Sequence, residues 1–99
     1  MVRDTARILE TVRQEADSLR RIGVTRLALF GSGARGGLRD DSDLDFLVDL
    51  NIKSFDAYMD VKELLEALFG RPVDLVLRSA LKPELRDDIL REAVDAPLN

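Results

Sequence analysis

The sequence contains neither cysteine nor histidine. Without cysteine there is no disulfide framework and no thiolate metal site, which fits a protein of the reducing cytoplasm. Without histidine, proton transfer cannot rest on an imidazole, and a His-rich zinc site is excluded. Any metal must then be held by carboxylates, which favours magnesium, manganese or calcium. No apolar run approaches the length of a membrane span, and Met1-Val2-Arg3-Asp4 opens no secretory segment. An excess of basic charge is missing too: 15 Lys and Arg stand against 19 Asp and Glu, for a net charge of −4. Broad nucleic-acid binding needs a basic face to neutralise phosphates, so a processive polymerase or a DNA-wrapping role is disfavoured.

What is present is an ordinary globular mixture, 45% apolar and 34% charged, in 99 residues. That length predicts one domain over residues 1–99, only modestly stable alone because a small chain buries a smaller share of its surface. Residues 4–22 read as one amphipathic helix. Asp4 is its cap, Ile8, Leu9, Val12, Ala16, Leu19 and Ile22 form its apolar side, and Gly23 is its stop. Val24 to Phe30 reads as a strand. From Asp43 to Leu50 the period is two, with Leu44, Phe46, Val48 and Leu50 on one face and Asp43, Asp45, Leu47 and Asp49 on the other. Ser54 begins a second long helix that Gly70 ends, Val73 to Leu77 is a third strand, and Pro83 opens a last helix running to Val94. The expected architecture is α/β (α+β), order α-β-β-α-β-α, with a small mixed three-stranded sheet covered by helices.

Between the first two strands lies Gly31-Ser32-Gly33-Ala34-Arg35-Gly36-Gly37, four glycines in seven residues. Its letters match the dinucleotide fingerprint G-x-G-x-x-G, and Asp49 lies near the distance expected of a ribose-binding acid. The context rejects that reading. Parallel strands need a crossover of a dozen or more residues, and only six separate Gly36 from Asp43. A Walker loop fails as well, because Gly37 and Leu38 stand where its Lys and Ser/Thr belong. A phosphate cradle needs neither family's details. Glycines let backbone N–H groups approach anionic oxygens, Ser32 adds a hydroxyl donor, and Arg35 and Arg39 are near enough to offset phosphate charge. Taken alone, the loop favours the plainer reading, a flexible turn, because glycine-rich turns are common.

Asp43 and Asp45 fall on one face of a strand whose other face enters the core. Carboxylates at this spacing can share hard cations, and two ions about 4 Å apart are a recurrent clamp for nucleotidyl transfer. A calcium loop beginning at Asp41 fails, since Phe46 stands where Gly is needed and Ile52 where Glu is needed. A solvated acidic face stays open as the alternative. Asp74 shifts the balance: it sits in the apolar strand Val73-Asp74-Leu75-Val76-Leu77, where an unpaired buried carboxylate is costly. Alongside Asp43 and Asp45 it would complete a three-carboxylate site and could orient or deprotonate an attacking hydroxyl. A partner such as Arg71 or Arg78 would explain it without any metal.

Taken together, Gly31-Ser32, ten intervening residues, Asp43-Leu44-Asp45 and the later Asp74 resemble the signature of the DNA polymerase β nucleotidyltransferase superfamily. The fuller string, with Arg35-Gly36 and Ser42-Asp43-Leu44-Asp45-Phe46-Leu47-Val48, is similar to the small stand-alone members, the minimal nucleotidyltransferases. The resemblance covers roughly residues 24–80. It implies Gly31 and Ser32 on the triphosphate, Asp43 and Asp45 as ligands to two Mg²⁺ ions, with Mn²⁺ as a substitute, and Asp74 as the third carboxylate near the attacking hydroxyl. It also implies ATP as donor and a HEPN-type toxin as partner, which in such pairs receives AMP and is neutralised.

Two functions compete. One is an active Mg²⁺-dependent transferase that moves AMP from ATP to a protein hydroxyl, most directly a tyrosine of the toxin. The other is a catalytically vestigial protein that neutralises its partner by contact. The intact set Gly31, Ser32, Asp43, Asp45 and Asp74 favours the first. Transfer to a small molecule such as an aminoglycoside is disfavoured, since no second pocket wall is recognisable. Apolar helix positions beyond what a three-stranded sheet can cover would suit a toxin partner, and a homodimer equally well.

Overall fold

The computed structural model describes residues 5–37, 39, 42–52 and 54–98. Asp4, expected to cap the first helix, lies outside them, as do Leu38 and Asp41. The elements are α1 (Thr5–Gln14), α2 (Ala16–Ile22), β1 (Val24–Phe30), β2 (Leu44–Leu50), α3 (Phe55–Phe69), β3 (Val73–Leu77), α4 (Pro83–Glu92) and β4 (Val94–Ala96). Short 3₁₀ turns occupy Gly31–Gly33 and Arg78–Ala80.

The first expected helix is two. At Glu15 the backbone tightens, its N–H bonding Val12 O at 2.9 Å, and α2 restarts one residue later. Ile8, Val12, Ala16 and Leu19 nevertheless stay buried across the break, so the apolar stripe survives it. Local chemistry sets the other helix ends. Ser54 caps α3 by accepting the Ala57 N–H at 3.1 Å, Gly70 closes it in the left-handed region at φ 63°, and Pro83 starts α4.

The sheet has four strands in the order β3-β2-β1-β4, not three. β1 pairs antiparallel with both β2 and β4, and β2 pairs parallel with β3 through the α3 crossover. The added strand corrects the reading of Val94 as helical. Ala93 leaves the helix at ψ 139°, and Val94, Asp95 and Ala96 pair with Leu29, Ala28 and Leu27, covering an edge that β1 would otherwise expose. Three residues are too few to show an alternation in the sequence.

One face of the sheet carries the core. Leu27, Leu29, Leu44, Phe46, Val48, Val73 and Leu75 meet Ile8, Val12 and Leu19 from α1 and α2 and Val61 and Leu65 from α3. Phe46 stacks on Phe69 with ring centroids 6.1 Å apart. The opposite face holds the acidic residues of β2; Leu47 and Ala28 are nonetheless buried, and the Arg78–Ala80 turn contacts β2 while α4 contacts β1. α4 is attached loosely, with none of its residues fully buried.

Candidate active site

The alternation in β2 does what the sequence predicts: Leu44 and Phe46 are buried in the core while Asp45 points to the other face, half-buried. The parallel register then pairs Asp45 directly with Asp74 on β3, so both carboxylates project side by side from neighbouring strands. The position of Asp74 depends on α3. Glu66 accepts the Val73 N–H at 2.9 Å and Lys62 donates to Val73 O at 2.6 Å, fixing the residue that precedes it. Hydrogen bonding to that backbone amide and to Lys62 holds the Glu66 carboxyl below the usual carboxylate range.

Asp43 stands exposed just before β2. Its approach is fixed by Arg71, which donates to Arg39 O at 2.7 Å and Ser42 O at 3.0 Å, and by the Leu44 N–H, which bonds Pro72 O at 3.1 Å. Arg71 is thus committed to backbone carbonyls, and Arg78 lies against Asp49 (3.3 Å) and Asp95 (4.0 Å). Neither neutralises Asp74. Asp74 itself is not buried as its apolar neighbours predict: β3 is an edge strand and Asp74 is exposed, so no burial penalty demands a partner.

The glycine loop reaches the same spot because Phe30 pairs with Asp45, which places Gly31 against that carboxylate. Gly31 has φ 71°, and a Cβ there would lie 2.2 Å from Asp45 Oδ2, so any side chain would be strained and would have to displace that carboxylate. The loop is a compact turn, with Gly31 O accepting from the Ala34 and Arg35 amides and Ser32 O from the Gly37 amide. Thr5 Oγ1 ties α1 to it by donating to Gly33 O at 2.5 Å. Arg35 is exposed beside Gly31. Arg39 donates its backbone N–H to Ser42 Oγ at 3.2 Å.

Electrostatically this is a site strained by like charge. The Asp45 carboxyl is pushed up from its ordinary 3.8 to about 6, first by burial, then by Asp74 and Asp43, with Arg35 opposing and Glu92 adding to the rise. The donor set is entirely carboxylate oxygen, the chemistry that Mg²⁺ and Mn²⁺ prefer, and a cation would relieve the repulsion. Among the described residues no three carboxylates are drawn tightly enough to cage one ion. A small apolar cavity of about 310 Å³, lined by Leu50, Ser54, Phe55, Tyr58 and Leu77, lies at the other ends of β2 and β3, away from the carboxylates. Asp49, the ribose-acid candidate, also lies at that far end beside Arg78.

A carboxylate pair in parallel register, abutted by a glycine turn at the end of an antiparallel neighbour, is an arrangement suited to a metal-bound phosphate chain. The profile of the family described as "Nucleotidyltransferase domain" matches residues 8–96. This chain belongs to that family. The nucleotidyltransferase is 45% identical over 75 residues to the protein adenylyltransferase MntA of Thermococcus cleftensis, covering 75% of this chain and 76% of that protein. A solved structure provisionally described as a minimal nucleotidyltransferase superposes with a TM-score of 0.72 at 41% identity, over 87% of this chain and 93% of that one. A toxin-antitoxin structure containing AMP-PNP matches with a TM-score of 0.68 over 86% of this chain and 72% of that one. At 20% identity the last likeness speaks to the fold alone.

One charged group of this nucleotidyltransferase carried no mark in the sequence. Glu92, at the end of α4, accepts from the Gly31 N–H at 3.0 Å and from Arg35 Nη1 at 2.9 and 3.0 Å. It is one acid among several on that helix, and its contacts lie 57 and 61 residues away in the chain.

Proposed function

We propose that this nucleotidyltransferase moves AMP from ATP to a hydroxyl of a protein toxin, a tyrosine of a HEPN-type partner, with pyrophosphate as the leaving group, and so acts as its antitoxin. The observation that carries the reading is the register of Asp45 with Asp74, with Gly31 packed against the Asp45 carboxylate. In this reading Asp43, Asp45 and Asp74 hold Mg²⁺, for which Mn²⁺ can substitute, while Gly31, Ser32 and Arg35 receive the triphosphate. The cation, when bound, offsets the phosphate charge and acidifies the attacking hydroxyl. In this reading Asp74, exposed and without an ion pair among the described residues, orients that hydroxyl. The 45% identity to a protein adenylyltransferase supports protein as the acceptor, and the toxin partner is what the resemblance to the minimal nucleotidyltransferases implies.

A second reading, neutralisation by contact, draws on the exposed apolar residues Ile52, Phe55 and Leu85, which suit a protein interface that a toxin or a second copy of this chain could cover. Incubation with ATP labelled on its α-phosphate, Mg²⁺ and the product of the adjacent reading frame separates the two. Transfer predicts label on that product; contact neutralisation predicts none.

A further inference from the structure

We infer that Glu92 is a built-in competitor for the phosphate-binding groups, and that a nucleotide has to displace it to bind. The inference rests on the proposed placement of the triphosphate at Gly31 and Arg35. Glu92 Oε1 accepts the Gly31 backbone N–H at 3.0 Å, and both its carboxylate oxygens accept from Arg35 Nη1, at 3.0 and 2.9 Å. An amide and a guanidinium converging on one anion is the pattern by which proteins hold phosphate oxygens, and here the anion belongs to the chain itself. While Glu92 occupies these donors, a phosphate must take them away, and it meets the Glu92 charge in addition to those of Asp43, Asp45 and Asp74.

The surroundings make this contact releasable. Glu92 is the last residue of α4, where the unpaired helix carbonyls disfavour a carboxylate, so its place depends on Gly31 and Arg35. No residue of α4 is fully buried, and Leu85 on it is exposed, so the helix has little packing to resist a shift. Directly after it, Val94 is paired with Leu29, which keeps Glu92 close and able to return. The consequence is an apparent affinity reduced by the fraction of molecules in which the donors are free.

The test is calorimetric titration of the full chain with Mg²⁺·AMP-PNP and, separately, with Mg²⁺·tripolyphosphate, comparing Glu92→Gln and Glu92→Ala with the parent. Glutamine keeps an acceptor for the Gly31 amide, so that variant decides the matter even if Glu92→Ala folds poorly. Both ligands are expected to bind on the order of three- to tenfold more tightly to the variants, because removing the charge frees Arg35. An equal gain for tripolyphosphate places the competition at the phosphates. Unchanged or weaker binding in the variants, with the parent binding normally, overturns the inference and leaves the nucleotide reading standing. Failure of parent and variants alike to bind either ligand overturns both.

Discussion

Asp45 is held where its own charge is penalised, and that has a measurable cost. A carboxyl raised from 3.8 to about 6 stabilises the fold fully only below the lower value, and the contribution is lost as pH rises through the upper one. Near neutral pH without metal, Asp45→Asn should therefore raise stability by on the order of 1–2 kcal/mol, after allowance for solvent screening of a half-buried group. The gain should vanish below about pH 4, where Asp45 is protonated in the parent as well. Urea denaturation in a chelating buffer at several pH values checks it. A destabilised variant at neutral pH would show that the carboxylate contributes structure and not strain. At Gly31 the constraint is steric. Gly31→Val places atoms into the Asp45 carboxylate and forces a branched residue to φ 71°, so it should reduce Mg²⁺·AMP-PNP binding far more than Ser32→Ala does. Similar losses in calorimetry would remove the backbone argument. Asp43, Asp45 and Gly31 were legible because alternation and glycine spacing are local signals. Asp74 was singled out for a burial penalty that its edge position removes, and Glu92 was illegible because nothing near it in the chain marks its contact with Gly31.

The elements divide the same way. Ser54, Gly70 and Pro83 mark helix boundaries through their own chemistry, and the helices end or begin there. Ser54→Ala should cost about 1 kcal/mol of stability through loss of the α3 cap. A chemical denaturation midpoint measures it, and an unchanged midpoint would mean the Ala57 amide finds water at no cost. The strands β1, β2 and β3 were readable from their apolar content, and the parallel pairing of β2 with β3 follows from a crossover helix long enough to allow it. The break at Glu15 was not readable, since the apolar spacing runs unbroken through it. Nor was β4, whose three residues are strand only because β1 offers an unpaired edge. The clamp of Lys62 and Glu66 on Val73 shows how a helix sets a position in the proposed site: it ties the start of β3 to α3, and Asp74 comes next.

At the scale of the whole molecule, the helices bury one face of a four-stranded sheet and leave the other to carry the acids, the glycine turn and the weakly packed α4. Among the described residues no helix is long and apolar enough to cross a membrane. Exposed Phe55, Ile52 and Leu85 leave apolar surface for a protein partner, which in the proposed function supplies the acceptor hydroxyl. The central claim is that neutralisation of that partner proceeds by nucleotide transfer through the carboxylate site. It is tested most directly by co-expressing the chain, or its Asp43→Asn variant, with the product of the adjacent reading frame and recording the intact mass of that product. Transfer predicts mass increments of AMP units with the parent chain, and their disappearance together with neutralisation in Asp43→Asn. A neutralised partner of unchanged mass, with the variant as effective as the parent, would contradict it.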